Sequence, residues 1–322
     1  EMTQKAVDTG RLSAEAADAQ RAKLSVSADM SALADADLVI EAVFDDFTVK
    51  ASLFRELDAL LPATTILATN TSYLNPDELA AVTNRTDRVL GLHFFSPANI
   101  MRLLEVVRCV ETSDETLATG IAFARKIRKL PIVTGVCEGF IGNRMFSAYR
   151  TEAEKMLAEG AYPEDIDRAM EAYGFPMGLF AVYDMAGLEI AWARRKRAAT
   201  SRDPELPYFD VADKLCEGGR FGRKAGLGWY RYTEDGIRVS DPDVHTLIDD
   251  YRARNAIVPR GFTDEAIMQR LLAAMAIEGQ SLLEGGIARS SDDIDLVLVN
   301  GYGFPSIKGG PMFATRHIGE TR

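Results

Sequence analysis

Leu38-Val-Ile-Glu-Ala-Val43, Thr65-Ile-Leu-Ala-Thr69, Arg88-Val-Leu-Gly-Leu-His-Phe94, Leu104-Glu-Val-Val-Arg-Cys-Val110 and Pro131-Ile-Val-Thr134 are five short, nearly continuous apolar runs. Helical stretches separate most of them: Val49–Leu61, a short one at Pro76–Val82, and Ser113–Leu130. Apolar strands alternating with helices of that length imply a parallel-rich sheet covered on both faces, part of which can run antiparallel. Ahead of them lie a polar, Ala-rich helical stretch interrupted near Gly10, a weak strand at Leu24–Val26 and a short helix at Met30–Ala36. This is the α/β part, residues 1–134.

Beyond Gly135 the texture changes to all-α. Phe140–Gly160 and Pro163–Tyr173 read as amphipathic helices. A glycine-rich stretch, Gly218–Tyr232, and a polar connector, Thr233–Asp241, precede a second helical block that begins near Asp264. The blocks resemble each other. Arg144-Met-Phe-Ser-Ala-Tyr-Arg-Thr-Glu152 aligns with Arg270-Leu-Leu-Ala-Ala-Met-Ala-Ile-Glu278 at an offset of 126. Asp165-Ile-Asp167 aligns with Asp293-Ile-Asp295 at 128, and Gly174-Phe-Pro176 with Gly303-Phe-Pro305 at 129. Three anchors in one order imply a duplicated helical unit, hence domains at 135–235 and 236–322. Such units pack face to face, so the second copy can bury a surface that a single-copy relative buries by dimerising.

The chain has 322 residues, 47% of them apolar, which excludes a disordered or collagen-like protein. A net charge of −11 disfavours a binder of nucleic-acid phosphates. Three scattered cysteines, Cys109, Cys137 and Cys216, make neither a disulfide framework nor a zinc site. No apolar run approaches the ~18 residues of a membrane span. No metal-ligand cluster, Walker loop or nucleophile elbow stands out.

His93 closes an apolar strand and opens His93-Phe-Phe-Ser-Pro97, which places it at the carboxyl edge of the sheet, where ligands bind. Glu105 lies twelve residues on, inside Leu103-Leu-Glu-Val-Val107. A carboxylate in a buried strand is costly unless paired, and a returning loop would bring it to the His93 ring. Such a pair makes a general base. A capped structural histidine and an exposed edge-strand glutamate are the bland alternatives. Thr69-Asn-Thr-Ser-Tyr73, Glu41-Ala-Val-Phe-Asp45 and Gly139-Phe-Ile-Gly-Asn-Arg144 add polar groups at strand ends or a helix start. Each is also compatible with ordinary turn and cap chemistry.

Val39-Ile-Glu-Ala-Val-Phe-Asp-Asp46, Ala68-Thr-Asn-Thr-Ser72, Gly91-Leu-His-Phe-Phe-Ser-Pro97, Met101-Arg-Leu-Leu-Glu-Val106 and Gly139-Phe-Ile-Gly-Asn-Arg-Met145 together resemble the L-3-hydroxyacyl-CoA dehydrogenase family. Arg220-Phe-Gly-Arg-Lys-Ala-Gly-Leu-Gly-Trp-Tyr230 is similar to that family's glycine-rich segment. The second block, through Asn300-Gly-Tyr-Gly-Phe-Pro305 and Gly309-Gly-Pro-Met-Phe313, resembles the dehydrogenase part of multifunctional fatty-acid β-oxidation enzymes. The resemblance implies a Rossmann-like nucleotide-binding domain followed by a duplicated helical domain. It implies oxidation of a 3-hydroxyacyl-CoA to the 3-ketoacyl-CoA by NAD, with His93 as base and Glu105 orienting it. Ser72 and Asn143 would hydrogen-bond substrate oxygens. Asp45, Lys50, Ser72, Ser96 and Lys224 match cofactor-contacting positions.

The family's opening strand and G-x-G-x-x-G turn have no counterpart before Leu24, where Gly10 is the one glycine. The nucleotide domain therefore reads as N-terminally incomplete, with weak NAD binding by this chain alone as the expectation. The same resemblance implies a hydratase/isomerase domain or subunit as partner and an acyl-CoA substrate, while the internal repeat, by replacing a dimer partner, implies a monomer. A bacterial cytoplasm or, in a eukaryote, a peroxisome is the expected compartment. A single-function 3-hydroxybutyryl-CoA dehydrogenase normally lacks the second block. A non-catalytic acyl-CoA-binding fragment is the alternative from another class.

Overall fold

The computed structural model describes residues 2–199, 202–203 and 208–318. Five strands form one sheet in sequence order: β1 (Leu38–Glu41), β2 (Ile66–Thr69), β3 (Val89–Phe94), β4 (Leu103–Val107) and β5 (Leu130–Thr134). β1, β2 and β3 are parallel, β4 runs antiparallel to β3, and β5 is parallel to β4. Helices α1 (Met2–Asp8) and α2 (Ala14–Arg21) precede the sheet, while α3 (Phe47–Leu60), α4 (Pro76–Ala80) and α5 (Asp114–Lys126) connect its strands.

Both sheet faces are apolar because both are covered. Leu67 and Val89 pack with Phe54, Leu57 and Leu79 of α3 and α4 on one side. Ile66, Ala68, Leu90, Leu92 and Val106 pack with Ala124, Leu117 and Ile121 of α5 on the other. Alternation along each strand delivers the two sets. Asp46 caps α3 through the Val49 amide, so the helix starts at Phe47 rather than at Val49.

Leu24–Val26 is not a strand. Leu24 and Val26 are 78% and 100% exposed, so these apolar side chains have no core to join. Met30–Leu33 is a 3₁₀ turn, shorter than the expected helix. The connector after the glycine-rich stretch holds a small hairpin, β6 (Arg231–Tyr232) and β7 (Arg238–Val239).

The helical part contains α6 (Gly142–Glu159), α7 (Pro163–Tyr173), α8 (Leu179–Ala186), α9 (Leu188–Ala198), α10 (Val211–Glu217), α11 (Pro242–Arg254), α12 (Asp264–Glu284), α13 (Ser291–Gly301) and α14 (Pro311–Ile318). Thus helix α11 precedes Asp264, where the second block was expected to begin. It buries Val244, Ile248 and Tyr251 at helical spacing.

The two blocks meet as approximate twofold copies. α6 packs on α12. Arg144 pairs with Glu278, while Arg270 pairs with Glu152 at 2.5 Å, so the aligned residues exchange partners. Phe175 meets its own counterpart Phe304 edge-on, ring centroids 5.3 Å apart. Asp167 accepts from the Phe180 and Ala181 amides at the start of α8, and Asp295 from Met312 and Phe313 at the start of α14. Reciprocal contacts of this kind are what an isologous interface gives, here within one chain.

Candidate active site

The antiparallel register of β3 and β4 sets His93 directly opposite Glu105. Their side chains meet, Nδ1 to Oε2, at 2.7 Å; His93 is 5% exposed and Glu105 fully buried. A carboxylate with no access to water must be filled with donors. Oε1 takes two more, from the Ile141 and Gly142 amides at 3.1 and 2.9 Å. These amides open α6, which lacks a side-chain cap of its own, so Glu105 caps the helix from the neighbouring strand. Gly139 and Phe140, both at positive φ, turn the chain to aim those amides at the carboxylate.

Phe95 and Phe140 pack on the imidazole, at centroid distances of 4.9 and 5.5 Å. With Glu105 accepting at Nδ1, that nitrogen carries the proton, and the Nε2 lone pair faces outward. Ser72, just beyond the end of β2, places its Oγ 3.1 Å from Nε2. Asn70 binds the two strand ends together, its Oδ1 accepting from the Phe94 amide at 2.9 Å. The hydroxyl, base and acid thus stand in line. This is a general-base geometry.

Asn143 sits one residue past the amide that holds Glu105, and its Oδ1 accepts from the Tyr302 hydroxyl at 2.9 Å. It lines a cavity of about 370 Å³ with Tyr73, Cys137, Arg144, Ser147 and Arg194; His93 and Ser72 are not in that wall. Burial, the largest influence, pushes the Cys137 thiol up, away from nucleophilic use at neutral pH.

The remaining expected positions divide. Asp45, 39% exposed at the side chain, accepts from Thr71 Oγ1 at 2.7 Å and so lies beside the Ser72 turn. Lys50 lies behind Asp45. Its ammonium is sealed in protein, donating to Glu41 Oε1 at 2.5 Å and to the Val43 carbonyl at 3.3 Å, with Asp45 at 3.7 Å. At 1% exposure it stands between the Glu41 and Asp45 carboxylates. Ser96 is exposed, next to the Phe95 ring that covers His93. Lys224 is exposed on the 3₁₀ turn Arg223–Ala225 in the helical part, and among the described residues no hydrogen bond or ion pair joins it to the others. Tyr302 was missed by sequence reasoning; its motif was noticed, but only the repeat could have signalled its reach. His245 does not belong here. His245 is 2.7 Å from Glu164 and lies against Tyr162, while the His317 side chain lies outside the described residues.

Residues 1–137 match the family model "3-hydroxyacyl-CoA dehydrogenase, NAD binding domain", and residues 139–232 match "3-hydroxyacyl-CoA dehydrogenase, C-terminal domain". The chain belongs to the 3-hydroxyacyl-CoA dehydrogenase family. The peroxisomal bifunctional enzyme of Danio rerio is 43% identical over 312 residues, 93% of this chain and 44% of that protein. The chain thus spans less than half the length of this relative. A structure of 3-hydroxybutyryl-CoA dehydrogenase from Escherichia coli K12 superposes with a TM-score of 0.81 at 27% identity, covering 98% of this chain and 82% of that one. The dehydrogenase part of multifunctional enzyme 1 from C. elegans gives 0.63 at 27% identity, over 94% and 69%. The second helical block therefore does not set this chain apart from proteins titled 3-hydroxybutyryl-CoA dehydrogenase, contrary to the expectation above. Among the described residues, no helix is long and apolar enough to cross a membrane.

Residues 1–137 are therefore an NAD-binding domain of this family. The donor set at its strand ends fits the nicotinamide half of that cofactor. The Asp45 carboxylate suits sugar hydroxyls, and the Ser72 hydroxyl lies beside the base. Lys50, its charge matched by Glu41, stands behind Asp45.

Proposed function

We propose that this chain oxidises an L-3-hydroxyacyl-CoA to the 3-ketoacyl-CoA within fatty-acid β-oxidation. The line Glu105–His93–Ser72 carries this reading. NAD, when bound, supplies the acceptor for the hydride from C3. His93 Nε2 takes the proton of the 3-hydroxyl, the imidazolium is balanced by Glu105, and the charge stays within the buried pair. Ser72 and Asn143 hydrogen-bond the substrate oxygens, holding the hydroxyl on the base. Asp45, Ser72, Ser96 and Lys224 serve the cofactor, with Lys50 ordering Asp45 from behind. Mixing the chain with NADH and acetoacetyl-CoA, and following nicotinamide absorbance, tests the reading. Turnover is expected; acyl-CoA binding without turnover would make the chain a binding fragment.

The division into 1–134, 135–235 and 236–322 belongs to the same proposal. So does a hydratase/isomerase domain or subunit as partner, supported by relatives named bifunctional or multifunctional and spanned only in part by this chain. The compartment follows that partnership, peroxisomal or bacterial cytoplasmic. Since the second block occupies the face of the first, the chain is monomeric in this reading. Light scattering should return the mass of one chain, and a dimer mass would count against it.

A second reading, a dehydrogenase restricted to 3-hydroxybutyryl-CoA, is favoured by the close superposition on a structure of that title. The two part on chain length: kcat/KM that collapses beyond four carbons selects the narrower enzyme.

A further inference from the structure

Tyr302 reaches the site from the far helical block. It caps the C-terminus of α13, and its hydroxyl donates to Asn143 Oδ1 at 2.9 Å. Its ring stands edge-on to Phe95, centroids 5.7 Å apart, and 5.0 Å from that of Phe146. Gly142 permits the approach, since a Cβ there would lie 2.7 Å from the Tyr302 ring. Burial, with Glu105 adding to it, holds the phenol well above its ordinary range, so it stays protonated. A buried O–H needs an acceptor, and an amide nitrogen is none. The Asn143 carboxamide is thereby turned with its oxygen on Tyr302. Its Nδ2 has no protein partner among the described residues, and the residue lines the cavity.

Duplication alone does not produce this contact. The repeat offsets carry Tyr302 onto Tyr173 and Asn143 onto Gln269. Tyr173 packs on Phe175 and Phe304, while Gln269 Nε2 donates to Glu265 at 2.9 Å. Among the described residues, no hydrogen bond joins that second pair. The tyrosine-to-amide bond exists on one side of the twofold relation only.

We infer that Tyr302 is a positioning residue that locks the Asn143 carboxamide with its Nδ2–H₂ group toward the acyl-CoA oxygen, which makes the second helical block part of the active site. The ligand in this statement rests on the function proposed above; the lock itself does not. Tyr302→Phe keeps the ring and removes only the hydroxyl. In the full chain it should weaken acetoacetyl-CoA binding, measured by calorimetry, about fivefold, the worth of one hydrogen bond. In an Asn143→Ala background the same change should do nothing further, whereas a merely structural role would weaken both backgrounds alike. A second measurement needs no ligand. In ¹⁵N-asparagine spectra, the Asn143 side-chain pair, assigned by its loss in Asn143→Ala, should shift or broaden in Tyr302→Phe while the other asparagine pairs hold. An unmoved pair, or equal losses in both backgrounds, overturns the lock. A moved pair in a chain that does not bind acetoacetyl-CoA upholds the lock and overturns the substrate reading instead.

Discussion

Replacing His93 by glutamine should lower kcat by about 10²–10⁴-fold, the usual contribution of a positioned general base. Glutamine preserves most of the contacts. Its amide can still donate toward Glu105 Oε2 and pack between Phe95 and Phe140, so the buried carboxylate keeps a partner. What vanishes is the one basic lone pair near Ser72. Neither Ser72 nor Asn143 accepts a proton at neutral pH, and Glu105, with no exposed surface and three donors on it, is spoken for. KM for the acyl-CoA should change little, because the binding hydroxyl and amide remain. Initial rates from nicotinamide absorbance check the first claim, and urea unfolding of the variant checks that the fold is retained. An unchanged kcat would remove His93 from the mechanism.

The pairing of His93 with Glu105 was legible because burial forces it. A lone acid among Leu103, Leu104, Val106 and Val107 has to find a donor, and an antiparallel return of the chain offers the nearest. The repeat was legible for a related reason. A twofold contact surface constrains both copies, so Arg144 with Glu278 and Arg270 with Glu152 keep the same letters at the same spacing. Other elements were not. Leu24-Ser-Val-Ser27 alternates like a strand, yet alternation needs a neighbouring strand to be expressed. Helix α11 was masked by Asp249, Asp250, Arg252 and Arg254, although its buried positions keep helical spacing. The burial of Lys50 depends on Glu41, nine residues back across a strand-to-helix turn, and no local rule separates that from a ligand-facing lysine. The reach of Tyr302 is more remote still: 159 residues separate it from Asn143, and only packing of the two blocks joins them.

Glu105→Gln and Glu105→Ala should fail in different ways, and the difference isolates what the acid does. In the glutamine variant, two backbone amides, those of Ile141 and Gly142, still demand an oxygen where Oε1 now sits. The carboxamide nitrogen is then left facing His93 Nδ1, in place of Oε2. As a donor it turns Nδ1 into an acceptor and moves the ring proton to Nε2, the atom that must receive the substrate proton. The fold survives, while kcat should fall by roughly 10²–10⁴ through the wrong tautomer. Alanine instead empties the site. Both amides of α6 and the imidazole lose their acceptor in a region closed to water, and the helix loses its cap. A buried donor left without its acceptor costs about 1–3 kcal/mol, and here three are left, so the urea midpoint should drop markedly for alanine and little for glutamine. Paired kinetics and denaturation of the two variants read both effects. Full activity in Glu105→Gln would show that the acid acts on the fold alone, and that the tautomer of His93 is set by something other than the strand opposite it.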